Sequence, residues 1–272
     1  MAKTVPAIKE GEALTKDAAT LLTLCFDIVT HDPADGAKQE HLFAEIDEIL
    51  ERLPAKDIDA LLRSSSFGSI RNRVHEIRAT YEYQRELELS REIIARENAA
   101  VANAFRSHDW YDKALDFETK ALSEYAPKRL LFVGSGPFPT SPMAFQRNDP
   151  AAKVTCMDRS GEACALAREV SAIFGMPDLD IVHADGAAKT DFSAYDCVIV
   201  GLVVGATERD KAEIVNHFLH YVPTSSLLCF RSATGSGRVI YPSVDLQALD
   251  GYDIDVLESP PHKSFTLVIV KR

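Results

Sequence analysis

Apolar residues recur at three-to-four spacing through the first half of the chain and in short β-branched runs through the second. Leu21, Leu22, Cys25, Ile28 and Val29 form one stripe and Leu42, Ile46, Ile49, Leu50 and Leu53 another, each the mark of a helix with one buried face. Residues 30–36 supply Pro, Asp and Gly and read as the loop between them. Pro54 breaks the second pattern, Ile58, Leu61 and Leu62 predict a third helix, and the stretch from Ser64 to Gly68 interrupts the periodicity. A long charged helix from about Ile70 to Phe105 and another from about Trp110 to Tyr125 complete a helical half.

After Ala126-Pro127-Lys128 the pattern changes. Apolar runs at Leu130 to Val133, Val154 to Met157, Ile181 to His183, Cys197 to Val200 and Leu227 to Phe230 alternate with helix-compatible spacers, as a parallel sheet with crossover helices requires. Two late runs, near Val256-Leu257 and from Phe265 to Val270, close the chain. The expected fold is α/β: a Rossmann-like, doubly wound domain over 128–272, preceded by an all-α helical bundle over 1–127 that lids it.

Composition narrows the function. The 272 residues carry 30 Lys plus Arg against 41 Asp plus Glu, a net charge of −11, which disfavours a protein that tracks nucleic-acid phosphates. No run approaches the ~18 apolar residues of a spanning helix and the first residues show no apolar leader core, so no membrane role and a cytoplasmic location are expected. The five cysteines have neither C-x-x-C nor zinc spacing and read as reduced core residues. His217 and His220, three apart on a predicted crossover helix, lack an evident third ligand, so no metal is expected.

The first strand runs into Gly134-Ser135-Gly136-Pro137-Phe138-Pro139-Thr140-Ser141-Pro142. Two glycines permit a sharp turn close to a ligand, and Ser141-Pro142 reads as an N-cap and first-turn proline. Pro139 stands where a dinucleotide loop needs its third glycine, which weakens a nicotinamide-cofactor reading. Asp158, with Arg159 after it at the end of the second strand, is placed to accept both hydroxyls of a ribose, and Asp185, in Asp185-Gly186-Ala187 after the third, to accept an adenine amine. This series suggests an adenosine ligand. S-adenosylmethionine fits best, since it needs no phosphate cradle and its sulfonium suits an acidic chain. The apolar segment after the fourth strand, with Leu202 and Val203, offers no side-chain acceptor for a methylated amine.

These residues resemble the nicotianamine synthase family. Its plant members show Val-Gly-Ser-Gly-Pro-Leu-Pro, an Asp-rich second strand end, Leu-Val-Gly and Arg-Ser-Ala-x-Gly…Leu-Tyr-Pro; here stand Val133 to Pro139, Met157-Asp158-Arg159, Val203-Val204-Gly205, and Arg231 to Gly235 running on to Ile240-Tyr241-Pro242. The resemblance implies a class I S-adenosylmethionine-binding domain. It implies transfer of the aminobutyrate moiety to an amine, with release of methylthioadenosine. A loose match of the helical half assigns Glu82 as general base and Tyr111 as its partner. Arg231, after the fifth strand at the ligand edge of the sheet, is expected to take a substrate carboxylate in its fork, with Tyr241 lining the same pocket and Pro139 and Thr140 bordering the substrate. Glu82 sits among Glu76, Glu86, Glu88 and Glu92, so a solvated face is its alternative; Tyr111 beside Trp110 could pack between domains, Arg231 could pair with the chain's own acids, and Tyr241 could be a hairpin aromatic. Glu258-Ser259, where plant members have His-Pro, and the short helical half point to the bacterial nicotianamine synthase-like enzymes of opine metallophore pathways. That implies histidine as acceptor, with an opine dehydrogenase as the expected pathway partner; a homodimer is left open. The alternatives are a nicotianamine-type synthase using several cosubstrate molecules, a small-molecule methyltransferase and a non-catalytic adenosine sensor.

Overall fold

The computed structural model describes residues 14–32, 35–105, 109–259 and 265–271. Its helical part runs α1 (Lys16–Thr30), α2 (Gly36–Arg52), α3 (Ala55–Arg63), a four-residue turn α4 (Ser65–Gly68) and α5 (Arg71–Arg96). The interruption at Ser64 is thus itself helical: its hydroxyl caps the turn by accepting from the Phe67 N–H at 3.1 Å, and Phe67 drops into the core.

The long helix ends nine residues before Phe105. Glu97 takes the left-handed conformation (φ +47°), its N–H and that of Asn98 fold back onto the Ile93 carbonyl, and the Asn98 side chain accepts from Ala100 N–H at 2.9 Å. That is a Schellman-type stop followed at once by a new cap. A 3-10 turn (Ala99–Val101), α6 (Ala102–Phe105) and α7 (Asp109–Ser123) continue the chain.

The remainder alternates β1 (Arg129–Val133), α8 (Thr140–Asn148), β2 (Lys153–Asp158), α9 (Gly161–Ile173), β3 (Asp180–His183), β4 (Cys197–Val200), α10 (Glu208–Tyr221), β5 (Leu227–Ala233), β6 (Asp253–Glu258) and β7 (Phe265–Lys271). The sheet order is β3-β2-β1-β4-β5-β7-β6, parallel through β5, with β7 antiparallel to β5 and β6. β1 and β4 are buried along almost their whole length, as central parallel strands covered on both faces must be. β5 exceeds its predicted end by three residues because Arg231, Ser232 and Ala233 pair with Leu267, Thr266 and Phe265.

The cores do not divide at residue 127. One, from α1 to α4 and the start of α5, also takes in Val239 and Ile240 from the sheet half. A second joins Leu89 and Ile93 of α5 and Leu122 of α7 to one sheet face, where Cys156, Cys164, Cys197 and Cys229 lie. The third packs α10 on the other face. α5 therefore belongs to both halves, its first turns to the bundle and its last to the sheet. All five cysteines are buried and unpaired. No helix among the described residues is long and apolar enough to cross a membrane.

Candidate active site

The turn after β1 is held by its own backbone. Gly134 and Gly136 have φ of +76° and +67°, which only glycine adopts without cost, and the N–H groups of Gly134 and Ser135 both donate to the Met157 carbonyl. Gly136 N–H and Ser160 N–H each donate at 2.9 Å to a different oxygen of Asp158, so this carboxylate braces the glycine loop against the start of α9 and retains further lone pairs. The Ser135 hydroxyl is buried and has no hydrogen-bond partner among the described residues. Pro137, Pro139 and Thr140 are buried beneath the turn.

One loop expectation changes. Pro139, not Ser141, occupies the N-cap of α8, and no side chain caps that helix. Ser141 lies inside the first turn, where its hydroxyl accepts from Arg231 at 2.7 Å. Asp185 is exposed and accepts from Ala187 N–H at 2.9 Å, in a tight local turn that leaves its outer oxygen to solvent. Gly186 is buried against Val133, where a β-carbon would have no room. Arg159 is exposed, and its backbone carbonyl meets the His183 ring at 3.1 Å. Leu202 and Val203 lie on the loop after β4, Val203 being exposed.

α5 brings the helical half over these strand ends. Arg78, Glu82 and Glu86 follow one another at four-residue spacing and share a helix face. Arg78 is buried; it donates to both oxygens of Asp47 at 3.0–3.1 Å, to Glu82 at 2.7 Å and to the Tyr241 hydroxyl at 3.1 Å, above the Phe43 ring. Burial opposes the Arg78 charge, but Tyr241, Glu82 and Asp47 hold the guanidinium protonated well above its ordinary range. Burial raises Asp47, with Arg78 pulling the other way. Tyr241 donates to Glu82 at 2.6 Å and is kept neutral, its proton affinity raised by burial and by Glu82. The residue assigned as general base thus already accepts two donors through one oxygen.

Glu86, one turn on, is different. Its carboxylate reaches the space directly over Gly136 and has no hydrogen-bond partner among the described residues. Burial, then the charges of Glu82 and Asp158, raise it from 4.5 to about 8, with Arg231 opposing. An acid poised between ionised and neutral near pH 8 at the ligand end of a sheet is suited to take a proton. In the sequence it is one glutamate of a charged run, and the only signal for it is its place one turn from Glu82.

Arg231, expected to meet a substrate carboxylate, instead directs Nε and Nη2 at the two oxygens of the buried Glu118 of α7, above the Phe132 ring. The bidentate pair fastens α7 to β5. Tyr111 lies two turns before Glu118 on α7, but its side chain falls outside the described residues. His217 packs with Phe192, Phe218 and Tyr221, its Nε2 2.8 Å from the Lys189 carbonyl. Among the described residues no three His, Cys, Asp or Glu side chains gather as a metal site.

The strand order and the helical cover are those of a Rossmann-like domain with a helical N-terminal part, the fold of MtNAS: the structure matches the chain of MtNAS solved in complex with MTA and tNA at a TM-score of 0.76, over 96% of this chain and 99% of that one, at 18% identity. A glutamate-to-glutamine variant of MtNAS in complex with S-adenosylmethionine matches at 0.74, over 95% and 99%, at 17% identity. The family model for nicotianamine synthase protein matches residues 10–272, and the chain belongs to that family. It is 28% identical over 247 residues to nicotianamine synthase 3 of Oryza sativa subsp. indica (85% of this chain, 70% of the relative). It is 25% identical over 280 residues to nicotianamine synthase 9 of Hordeum vulgare (97% and 80%).

Proposed function

We propose that this enzyme moves the aminobutyrate moiety of S-adenosylmethionine onto the amine of an amino acid, with histidine the favoured acceptor, and releases methylthioadenosine. The observation that carries the reading is Glu86: an acid with no hydrogen-bond partner among the described residues and raised proton affinity, lowered by the helical half onto the glycine loop. The loop fits the cosubstrate. Gly134 and Gly136 allow close approach, the buried Ser135 hydroxyl is free to bond, and Asp158 keeps lone pairs for a ribose.

The amine lone pair forms the N–C bond to the γ-carbon, and the C–S electron pair leaves with sulfur, which becomes the neutral thioether of methylthioadenosine. The proton shed by nitrogen passes to Glu86. The entering sulfonium and ammonium charges favour the ionised carboxylate beforehand. Glu82, fixed by Arg78 and Tyr241, orients the acceptor. Tyr111 is assigned beside it from the family resemblance. Asp185, Gly186, Ala187, Leu202 and Val203 border the adenosine. In this reading the product is a metallophore precursor made in the cytoplasm and passed to an opine dehydrogenase.

The test is incubation with S-adenosylmethionine and a panel of amino acids, each enantiomer separately, with mass spectrometry of the products. Methylthioadenosine with a singly extended histidine supports the proposal, and a multiply extended product moves it to nicotianamine-type synthesis. S-adenosylhomocysteine would make the protein a methyltransferase. Cosubstrate binding without turnover against the whole panel would make it a sensor.

A further inference from the structure

Lys211 is buried in the first turns of α10, only 1% exposed, and no carboxylate pairs with it among the described residues. Its Nζ donates instead to two backbone carbonyls of the loop after β4, Leu202 at 2.7 Å and Val204 at 2.6 Å. A lysine in such a place is costly. It sits near the positive end of a helix dipole, away from water, and burial lowers it to about 7. Surface solubility and ion pairing therefore do not account for it, whereas the loop does: residues 201–206 have no ladder partner to satisfy those carbonyls, and a buried carbonyl without a donor is expensive.

The loop so held reaches the cosubstrate side. The Val204 side chain fills the space over Gly134, where a β-carbon would stand, and it also lies against Gly201, whose N–H donates to the Val133 carbonyl at 3.0 Å. Gly205, at φ +81°, folds the chain back so closely that a side chain there would strike the Asp210–Lys211 backbone. A continuous set of contacts thus runs from Lys211 through the carbonyls of Leu202 and Val204 to the first glycine of the turn after β1.

We propose that Lys211 is a positioning residue for the cosubstrate: by drawing in the carbonyls of Leu202 and Val204 it seats Val204 against Gly134 and sets the shape of the glycine loop. The proposal rests on the glycine loop being the S-adenosylmethionine site. It acts on that site alone, because Lys211 touches neither Glu82, Glu86 nor the Arg78 cluster.

Lys211→Met keeps most of the volume and removes the donors. We expect it to weaken methylthioadenosine and S-adenosylmethionine binding in calorimetry about tenfold or more, the scale of losing charge-assisted hydrogen bonds. Turnover at saturating cosubstrate and the acceptor KM should stay within about threefold. Wild-type affinity in the folded variant overturns the proposal, and so does a parallel loss of turnover and both KM values, which would mark a merely structural lysine. Should Lys211→Met fail to fold, Val204→Ala decides: weaker cosubstrate binding with turnover retained supports the proposal, and unchanged binding overturns it. Wild-type protein that binds no methylthioadenosine removes the reading of the site itself, and this inference with it.

Discussion

The Glu86 carboxylate occupies the volume over Gly136 that a β-carbon at that position would need, so the helical half touches the glycine loop at a residue that has no side chain. Gly136→Ala meets two penalties there: a left-handed backbone at φ +67°, worth roughly 1–2 kcal/mol for a side-chain-bearing residue, and displacement of Glu86. The variant should lose about that much stability in urea titration and bind methylthioadenosine at least tenfold more weakly in calorimetry, a scale of ~1.4 kcal/mol. Unchanged affinity would mean that the two halves can separate at this point without consequence.

Raised proton affinity at Glu86 links folding to pH. Between its ordinary value of 4.5 and about 8 the folded protein holds a proton there that the unfolded chain has released, so stability contributed by this group is full below 4.5 and is lost as pH rises toward 8. Glu86→Gln removes the linkage. The variant should be more stable than wild type at pH 8, by up to a few kcal/mol since a tenfold change in proton affinity is worth about 1.4, and little different at pH 4.5. Denaturant melts of both proteins at pH 4.5, 6.5 and 8 check it; parallel curves would show that Glu86 titrates normally.

The same substitution should cost turnover about 10²-fold or more with cosubstrate affinity kept, the usual worth of a general base. Glu82→Gln should act mainly on the acceptor KM, because Glu82 is held by Arg78 and Tyr241. If Glu82→Gln instead abolishes turnover while Glu86→Gln is nearly silent, the base is Glu82, as family resemblance first assigned it.

The Arg231–Glu118 pair is a structural tie between α7 and β5, with both side chains largely out of water. Glu118→Ala deprives the guanidinium over the Phe132 ring of its carboxylate and should cost about 3–5 kcal/mol in equilibrium unfolding, whereas replacing both partners with apolar residues should cost clearly less than the sum of the single changes. Additive losses would mean that the two groups do not act as a pair.

Much of this architecture was legible because the sheet writes itself in short apolar runs: five parallel strands were placed within a residue or two, apart from the far end of β5, and the glycine turn and Asp158 fall at their predicted ends. The stop of α5 was not, since Glu97 and Asn98 look like ordinary helix-surface residues until one turns left-handed and the other caps. Site residues failed in the same way. Arg231, Glu118 and Ser141 are far apart in the chain, and only folding shows that the arginine fork is filled from within. Glu86 could not be told from Glu82, Glu88 or Glu92 by composition. What separates it is its contact with Gly136, on a loop fifty residues away.

Tyr241 is where the proposed part of Glu82 in acceptor binding can be tested apart from the cosubstrate. Its hydroxyl donates to Glu82 at 2.6 Å and accepts from Arg78 at 3.1 Å, so it closes the ring of contacts that fixes the Glu82 carboxylate. Tyr241→Phe keeps the ring against Arg78 but leaves Glu82 held from one side only. Losing a hydrogen bond to a charged group is worth about 1.5–3 kcal/mol, so the acceptor KM should rise some ten- to a hundredfold. Methylthioadenosine affinity should not move, because Tyr241 makes no contact with the glycine loop or Asp158. A variant that loses cosubstrate affinity instead would place Tyr241 in the adenosine pocket, and one with unaltered kinetics would leave Glu82 without a part in acceptor binding.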